Sequence, residues 1–199
     1  MEISKATIQR LPKYLRILIQ KNKDGLENIS STVIANELKL NPIQVRKDLA
    51  AIYKKDGKPG VGFDIPKLIE DISEFLNLND TKNLLIVGAG RLGQALMNYT
   101  GFENDIHKII ALDNDISKID NVKIFDSNKL EELVENQNIN VGVITVPKQA
   151  AQEMCDRLVK AGIKAIWNFA PANLKVPEGV KIKNEDLSAS LTILLNSLK

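Results

Sequence analysis

The stretch Leu84-Leu85-Ile86-Val87-Gly88-Ala89-Gly90-Arg91-Leu92-Gly93 constrains what this chain can fold into more than any other. Four consecutive branched apolar residues suit a strand buried on both faces, as the first strand of a parallel sheet is. The run halts at glycine. Gly88, Gly90 and Gly93 give G-x-G-x-x-G where a strand passes into a helix, the setting in which that spacing binds a dinucleotide. Gly88 suits the tight turn, Gly90 lets backbone approach a pyrophosphate, and Gly93 lets helix and strand pack closely. A helix starting near Arg91 aims unpaired N–H groups at that phosphate. Lys108-Ile109-Ile110-Ala111-Leu112-Asp113 reads as the second strand. Its last residue, Asp113, falls about 20 residues beyond the motif, where a carboxylate accepts from adenosine ribose hydroxyls. A carboxylate there repels a 2′-phosphate and favours NAD(H) over NADP(H). A glycine-rich turn that binds nothing shares the three glycines, and the carboxylate-ended second strand is what weighs against it.

The 199 residues hold one cysteine, Cys155, so no internal disulfide is available, and Cys155 reads as a buried structural thiol. No apolar run approaches the 18 or so residues of a membrane span. A cytoplasmic protein is expected. Charge is divided unevenly. Residues 1–63 carry 12 Lys and Arg against 6 Asp and Glu, and residues 64–199 carry 15 against 19. A basic first part and an acidic second part suggest two tasks, the first facing a polyanion.

Along residues 4–22, Ile8, Leu11, Leu15, Leu18 and Ile19 recur at helical spacing, with Pro12 expected in the first turns or at a kink. Ser30-Ser31 caps a short helix holding Val33, Ile34, Ala35 and Leu38. After a brief turn, Asn41 as N-cap with Pro42 behind it opens a helix to about Tyr53. The pattern is that of helix-turn-helix. Val45, Leu49 and Ile52 point inward on the last helix, leaving Gln44, Arg46, Lys47 and Ala51 outside. In a recognition helix Gln reads adenine and Arg or Lys reads guanine. A solvated amphipathic face has the same pattern. The segment from Lys54 to Phe63, with Lys58 inside it, reads as a hairpin wing whose lysines meet phosphates.

Asp64 caps a linking helix with Leu68, Ile69, Ile72, Phe75 and Leu76 on its buried face. Strand and helix then alternate: Val122–Phe125, a helix capped by Ser127, Val141–Val146, a helix from Lys148 to Ala161, Lys164–Trp167 and Val180–Lys183. Such alternation implies a doubly wound parallel sheet with its ligand at the carboxyl ends of the strands. Thr145-Val146-Pro147 and Asn168-Phe169-Ala170-Pro171 sit at two such ends, as nicotinamide contacts or as plain loops. The apolar tail from Ser188 to Leu198 suits a helix that covers its own domain or docks on another subunit.

Taken together, Lys5-Ala6-Thr7-Ile8-Gln9-Arg10-Leu11-Pro12, Gln44-Val45-Arg46-Lys47-Asp48-Leu49, Gly60-Val61-Gly62-Phe63, the glycine motif, Thr145-Val146-Pro147, Asn168-Phe169-Ala170-Pro171 and Asn184-Glu185-Asp186-Leu187 resemble the Rex family of redox-sensing transcriptional repressors. The resemblance implies an α/β protein: an N-terminal winged-helix domain over residues 1–78, then a Rossmann-like doubly wound parallel sheet binding NAD(H) over 79–184. A C-terminal dimerisation helix over 185–199 would be exchanged in a homodimer. It further implies that palindromic double-stranded operator DNA is bound and that NADH, not NAD+, relieves the binding. The implied cofactor set is Gly88, Ala89, Gly90, Arg91, Leu92, Gly93, Asp113, Asn114, Thr145, Val146, Pro147, Asn168, Phe169 and Ala170. The implied DNA set is Arg10, Ser31, Asn41, Gln44, Arg46, Lys47, Lys54 and Lys58. Arg16, Tyr99 and Asp186 fall where the family couples the two. The chain departs from the family at Pro59, Phe63, residues 50–53 and the loop after Asp113.

No catalytic residue or metal ligand is expected. A small NAD(H)-dependent oxidoreductase would need a general acid or base beside its substrate, and the one histidine, His107, precedes the second strand, away from the site. A CoA-binding domain shares the sheet and glycine turn and remains the other alternative.

Overall fold

In a computed structural model the chain divides into two compact units, residues 1–80 and 81–199. The structure describes residues 3–54, 60–78, 82–102, 106–115 and 124–198.

The first unit is built from capped helices: α1 (Lys5–Lys23), α2 (Ser31–Leu38), α3 (Pro42–Ile52) and α4 (Ile65–Phe75). Each starts where a short polar side chain accepts an otherwise unpaired N–H. Ser4 accepts from Thr7, Ser30 from Val33, Asn41 from Ile43 and Asp64 from Lys67. Pro12 lies within α1 without ending it, on the exposed side where water can serve the carbonyl left unpaired. Lys39, left-handed at φ 54°, closes α2 and turns the chain into α3. Leu11, Tyr14, Leu18, Ile34, Val45, Leu49, Leu68 and Ile72 form a core that α1 to α4 all enter. Strand β1 (Asn28–Ile29) pairs antiparallel with β2 (Phe63–Asp64), Ile29 facing Phe63. Half of the expected wing, residues 55–59 with Lys58, lies outside the described residues. Phe75, read as core, is 37% exposed at the end of α4, where the helix runs past the domain's apolar interior.

The second unit alternates as expected: β3 (Lys82–Val87), α5 (Arg91–Met97), β4 (Ile106–Asp113), β5 (Ile124–Asp126), α6 (Leu130–Asn136), β6 (Ile139–Ile144), α7 (Lys148–Lys160), β7 (Ala165–Asn168), β8 (Lys181–Asn184) and α8 (Leu187–Asn196). The sheet order is β5-β4-β3-β6-β7-β8 and neighbouring strands are parallel. This is the doubly wound order of a dinucleotide-binding sheet. On one face Leu85 and Val87 meet α6 and α7, burying Cys155, whose thiol burial pushes up. On the other, Leu84 and Ile86 meet Leu96 and Met97 of α5. Two local readings need correction. Ser127 does not cap α6: its hydroxyl donates to Asn114 Oδ1 instead, and Asp126 accepts from Asn128 N at 2.8 Å to cap a 3-10 turn that leads into the helix. His107 belongs to β4 rather than preceding it, at the end opposite Asp113.

Gly93 is packed so tightly that a Cβ there would run into the carbonyl of Gly88. Gly93→Ala should therefore destabilise the protein by about 1 to 3 kcal/mol through overpacking. Chemical denaturation checks this; an unchanged midpoint would mean that the Gly88 turn yields freely.

Candidate functional site

In the second unit a cleft of about 780 Å³ opens at the carboxyl ends of the strands. β3 delivers Gly88 there with φ +105°, a conformation open to glycine and strained for other residues. Thr145 at the end of β6 locks this turn: its hydroxyl lies 2.7 Å from the Gly88 carbonyl and 3.0 Å from that of Val87, donating to the pair. Gly90 differs from its neighbours. Its φ is −68° and a Cβ on it would meet no protein atom within 4 Å. Neither backbone strain nor packing accounts for a glycine at this position. Clearance for a ligand pressed against the loop does, and a pyrophosphate fits that need.

β4 brings Asp113 to the same edge. Its Oδ2 accepts from Ala89 N at 2.7 Å and its Oδ1 from Asp115 N at 2.9 Å, fixing the carboxylate in the cleft wall. Nearby, Arg157 of α7 lines the cleft but is already engaged. Its Nε and Nη2 donate to Glu131 at 3.2 and 3.1 Å, and Nη2 donates to the Ser127 carbonyl at 2.8 Å. The same pairing holds the Glu131 carboxyl below its ordinary range. This end of the cleft thus offers a fixed anion and a cation with its charge compensated, a poor site for a further phosphate.

Of the expected cofactor residues, Gly88, Gly90, Leu92, Asp113, Asn114, Thr145, Val146, Pro147, Phe169 and Ala170 line this one cleft. Ala89 and Gly93 are buried beneath the glycine turn, and Arg91 is exposed outside the lining. Asn168 is 1% exposed and stands behind the wall. Its amide donates to the carbonyls of Ala170 and Ala172 and to Asn184 Oδ1, and its Oδ1 accepts from Ala170 N at 2.9 Å. It shapes the Phe169–Ala170 turn. The reading from sequence missed Ser127, Asn128, Ala150, Glu153, Met154 and Arg157. A signal was present for the last four, which follow Pro147 at helical spacing on the α7 stripe that starts at the strand end.

In the first unit Gln44, Arg46 and Lys47 stand exposed on the first turns of α3, and Val45 and Leu49 are buried. Asn41 spends its Oδ1 on the cap of α3 and Ser31 opens α2. Lys54 donates to Glu74 at 2.7 Å, and its backbone N–H to Asp71 at 2.9 Å, tying the chain just after α3 to α4. Arg10 donates from Nε at 2.7 Å and Nη2 at 3.0 Å to Asp48, a carboxylate only 2% exposed. Burial pushes the Asp48 carboxyl up, but hydrogen bonds from Arg10, Tyr14, Gln44 and Thr7 outweigh it and hold the group below its ordinary range. Burial, then the bond to Asp48, pushes the Tyr14 hydroxyl up to about 12. Of the residues expected to couple the functions, Arg16 is exposed on α1, Tyr99 packs edge-on to Phe102, and Asp186 caps α8 through Ala189 N at 2.8 Å.

Among the described residues no group of His, Cys, Asp and Glu is placed to hold a metal, and no helix is long and apolar enough to cross a membrane.

Family models match two parts of the chain: "CoA binding domain" over residues 79–172 and "Putative DNA-binding protein N-terminus" over 2–50. Over its whole length it is 40% identical to the redox-sensing transcriptional repressor Rex of Desulforamulus reducens, covering 96% of that protein. It is 42% identical to the Rex repressor of Treponema denticola, with 97% of this chain and 95% of that one aligned. The chain belongs to the Rex family of redox-sensing transcriptional repressors. Among solved structures, the Rex-family repressor RSP in complex with β-NAD+ and operator DNA is similar at a TM-score of 0.87 and 37% identity, over 100% of this chain and 93% of that one. RSP in complex with β-NADH gives 0.82 and 36%, over 100% and 95%.

The Asp48 cluster carries opposite pH signatures at its two limbs. Asp48 has a depressed value in the folded state, so its contribution is present above the ordinary carboxylate range and is lost as pH falls through the folded value. Tyr14 has a raised value, so its contribution is present below about 10 and is lost as pH rises toward about 12. Thermal unfolding of the full chain across pH should show both losses, and Tyr14→Phe should flatten the alkaline one. An alkaline limb unchanged in Tyr14→Phe would assign it to other groups.

Proposed function

We propose that this Rex-family chain binds palindromic operator DNA as a homodimer when NADH is low and releases it when NADH occupies the cleft. The observation that carries the reading is one cleft joining the glycine turn, Asp113 and the Thr145–Pro147 and Phe169–Ala170 loops, in a chain whose other unit presents Gln44, Arg46 and Lys47 on a capped helix. Gly88, Gly90 and Leu92 would hold the pyrophosphate, Asp113 and Asn114 the adenosine ribose, and Thr145, Val146, Pro147, Phe169 and Ala170 the nicotinamide end. Ala89, Arg91, Gly93 and Asn168 serve that site by shaping or charging its rim. On DNA, Arg46 and Lys47 meet bases and phosphates with Gln44, while Ser31, Asn41, Lys54 and Lys58 meet the backbone. Arg10 acts through Asp48 more than by its own contact. The domain division at residues 1–78, 79–184 and 185–199 is part of the same proposal, and so is a cytoplasmic location, where DNA and the NADH pool meet.

The binding modes favour NAD(H) over coenzyme A on charge. A carboxylate at the ribose hydroxyls repels the 2′-phosphate of NADP(H) and the 3′-phosphate of coenzyme A alike. The decisive test titrates NADH and NAD+ into the complex with a palindromic duplex. NADH should release the DNA and NAD+ should not, and no hydride should pass to small carbonyls or alcohols. Release by neither nucleotide, or turnover of a substrate, would overturn the reading.

Asp113→Ala should weaken NADH by roughly 10- to 100-fold, the loss of hydrogen bonds to a charged group at about 1.5 to 3 kcal/mol, and narrow the preference over NADPH. Calorimetric titration with NADH, NADPH and coenzyme A checks this; equal affinity of the unmodified protein for NADH and NADPH would refute the role of Asp113.

Arg16, Tyr99 and Asp186 are proposed to transmit the cofactor signal. Allosteric coupling is typically about 1 to 3 kcal/mol and is reciprocal. Tyr99→Phe and Asp186→Asn should each shrink the factor by which saturating NADH weakens operator affinity. Asp186→Asn is chosen because it keeps an oxygen to cap α8. An unchanged factor in both variants would locate the switch elsewhere.

A further inference from the structure

Asp48 is a carboxylate almost without water, in the middle of the helix assigned to DNA. Its Oδ1 accepts from Thr7 Oγ1 at 3.0 Å, Arg10 Nη2 at 3.0 Å and Gln44 Nε2 at 2.9 Å; its Oδ2 accepts from Arg10 Nε at 2.7 Å and the Tyr14 hydroxyl at 2.8 Å. Thr7, Arg10 and Tyr14 belong to α1, so their bonds fasten α3 to α1. Gln44 does not serve that purpose. It lies one turn before Asp48 on α3 itself and is exposed.

The effect of its bond is orientation. An ionised carboxylate only accepts, so the Gln44 amide must turn Nε2 toward Asp48 and Oε1 away. The choice between the two faces of a carboxamide is thereby made before DNA arrives. One N–H is engaged, and the second N–H and Oε1 remain on the exposed side of the first turns of α3. One donor beside one acceptor matches the N7 acceptor and N6 amino donor that adenine presents in the major groove.

We propose that Asp48 is a positioning residue for base reading: from inside the domain it sets the Gln44 amide in the orientation that recognises adenine, and so fixes the preference at one base pair of the operator. This deepens the DNA-binding reading above and rests on it. Arg10, Thr7 and Tyr14 then act on DNA through Asp48, holding in place the carboxylate that orients Gln44.

The test uses the full-length protein, a duplex selected by it from a random pool, and every single-base-pair variant of that duplex. Gln44→Ala should lose roughly 5- to 100-fold of discrimination at one A·T pair, the range for a bidentate base contact. Asp48→Asn should lose that preference at the same pair, because the asparagine amide can present either a donor or an acceptor and lets Gln44 turn over. Adding Gln44→Ala to Asp48→Asn should change discrimination at that pair no further. Retention of the preference in Asp48→Asn, or no change of base preference in Gln44→Ala, would overturn the proposal.

Asp48→Asn also weakens the partner of Arg10 and Tyr14 and is at risk of not folding, so the unmodified protein supplies a second measurement. In the ¹⁵N-labelled full chain the Gln44 side-chain amide signals, assigned by their absence in Gln44→Ala, should be displaced from free glutamine and slow to exchange with water. Free-glutamine positions and fast exchange would refute the orientation directly. Failure to select any duplex would sink the DNA-binding reading and this proposal with it. The amide signals would be unaffected by that failure, which separates it from a failure of the Asp48–Gln44 bond.

Discussion

The second unit depends on β3 being buried on both faces and hydrogen-bonded along both edges. A strand so placed has its partners fixed: β4 on one side and β6 on the other, with Val87 level with Leu112 and Ile144. The crossover through α5 covers the Leu84 and Ile86 face, while α6 and α7 cover the Leu85 and Val87 face. Because the connection leaving β3 runs to α5 on one face and that leaving the adjacent β6 runs to α7 on the other, the two loops part at the carboxyl ends of these strands and cannot fill the space between them. The cleft is therefore a consequence of strand order. The glycine turn is what keeps it usable, since Gly88 N–H bonds the Leu112 carbonyl at 2.8 Å and Thr145 ties the turn to the opposite wall.

Much of this was legible in the sequence because it rests on local rules. The buried strand, its glycines and the carboxylate ending β4 are readable from a dozen residues, and Ser30, Asn41 and Asp64 announce helix starts by chemistry that acts over three positions. What escaped depends on meetings across the fold. Helical spacing puts Asp48 on the inward stripe with Val45, Leu49 and Ile52, but does not say what meets it there; that depends on α1 presenting Thr7, Arg10 and Tyr14 at that height. Arg157 and Glu131 are far apart in sequence and pair only because α6 and α7 share a face of the sheet. Asn168 was legible as a strand-end residue but not as a loop former, since its partners Ala172 and Asn184 are fixed by β7 lying beside β8.

The two carboxylates near the functional surfaces illustrate one physical principle used twice. A buried or half-buried anion must be met by donors, and the donors it recruits lose their freedom to rotate. Asp113 recruits the N–H of Ala89 and so stiffens the glycine turn that faces the cleft. Asp48 recruits side chains from α1 and α3 and so stiffens the helix that carries Gln44, Arg46 and Lys47. Rigid sites bind with less ordering to complete, which lets a small set of contacts discriminate.

The proposed switch needs the cleft to act on subunit arrangement, and the second unit contains a short connection suited to that. The Phe169–Pro171 loop lines the cleft, and the segment leading to α8 is bound to its root: Glu185 N donates to the Asn168 carbonyl at 2.8 Å, and Trp167 Nε1 donates to Glu185 Oε1 at 2.9 Å. Phe169, Trp167, Phe102 and Tyr99 stand in successive ring contact, at centroid distances of 4.7, 5.7 and 4.8 Å. The residue after Glu185 is Asp186, the cap of α8. That helix is ten residues long and exposes Leu187, Leu191, Ile193, Leu194 and Leu195. So short a helix is marginal in water by itself, so its apolar side gains stability from a partner surface. Under the proposed switch, with the second copy of a homodimer as that surface, a ligand that moved the Phe169 loop would change how α8 docks, and through it the spacing of the two DNA-binding units. Reciprocity then follows without further machinery: DNA, by holding one spacing, disfavours the ligand that requires the other.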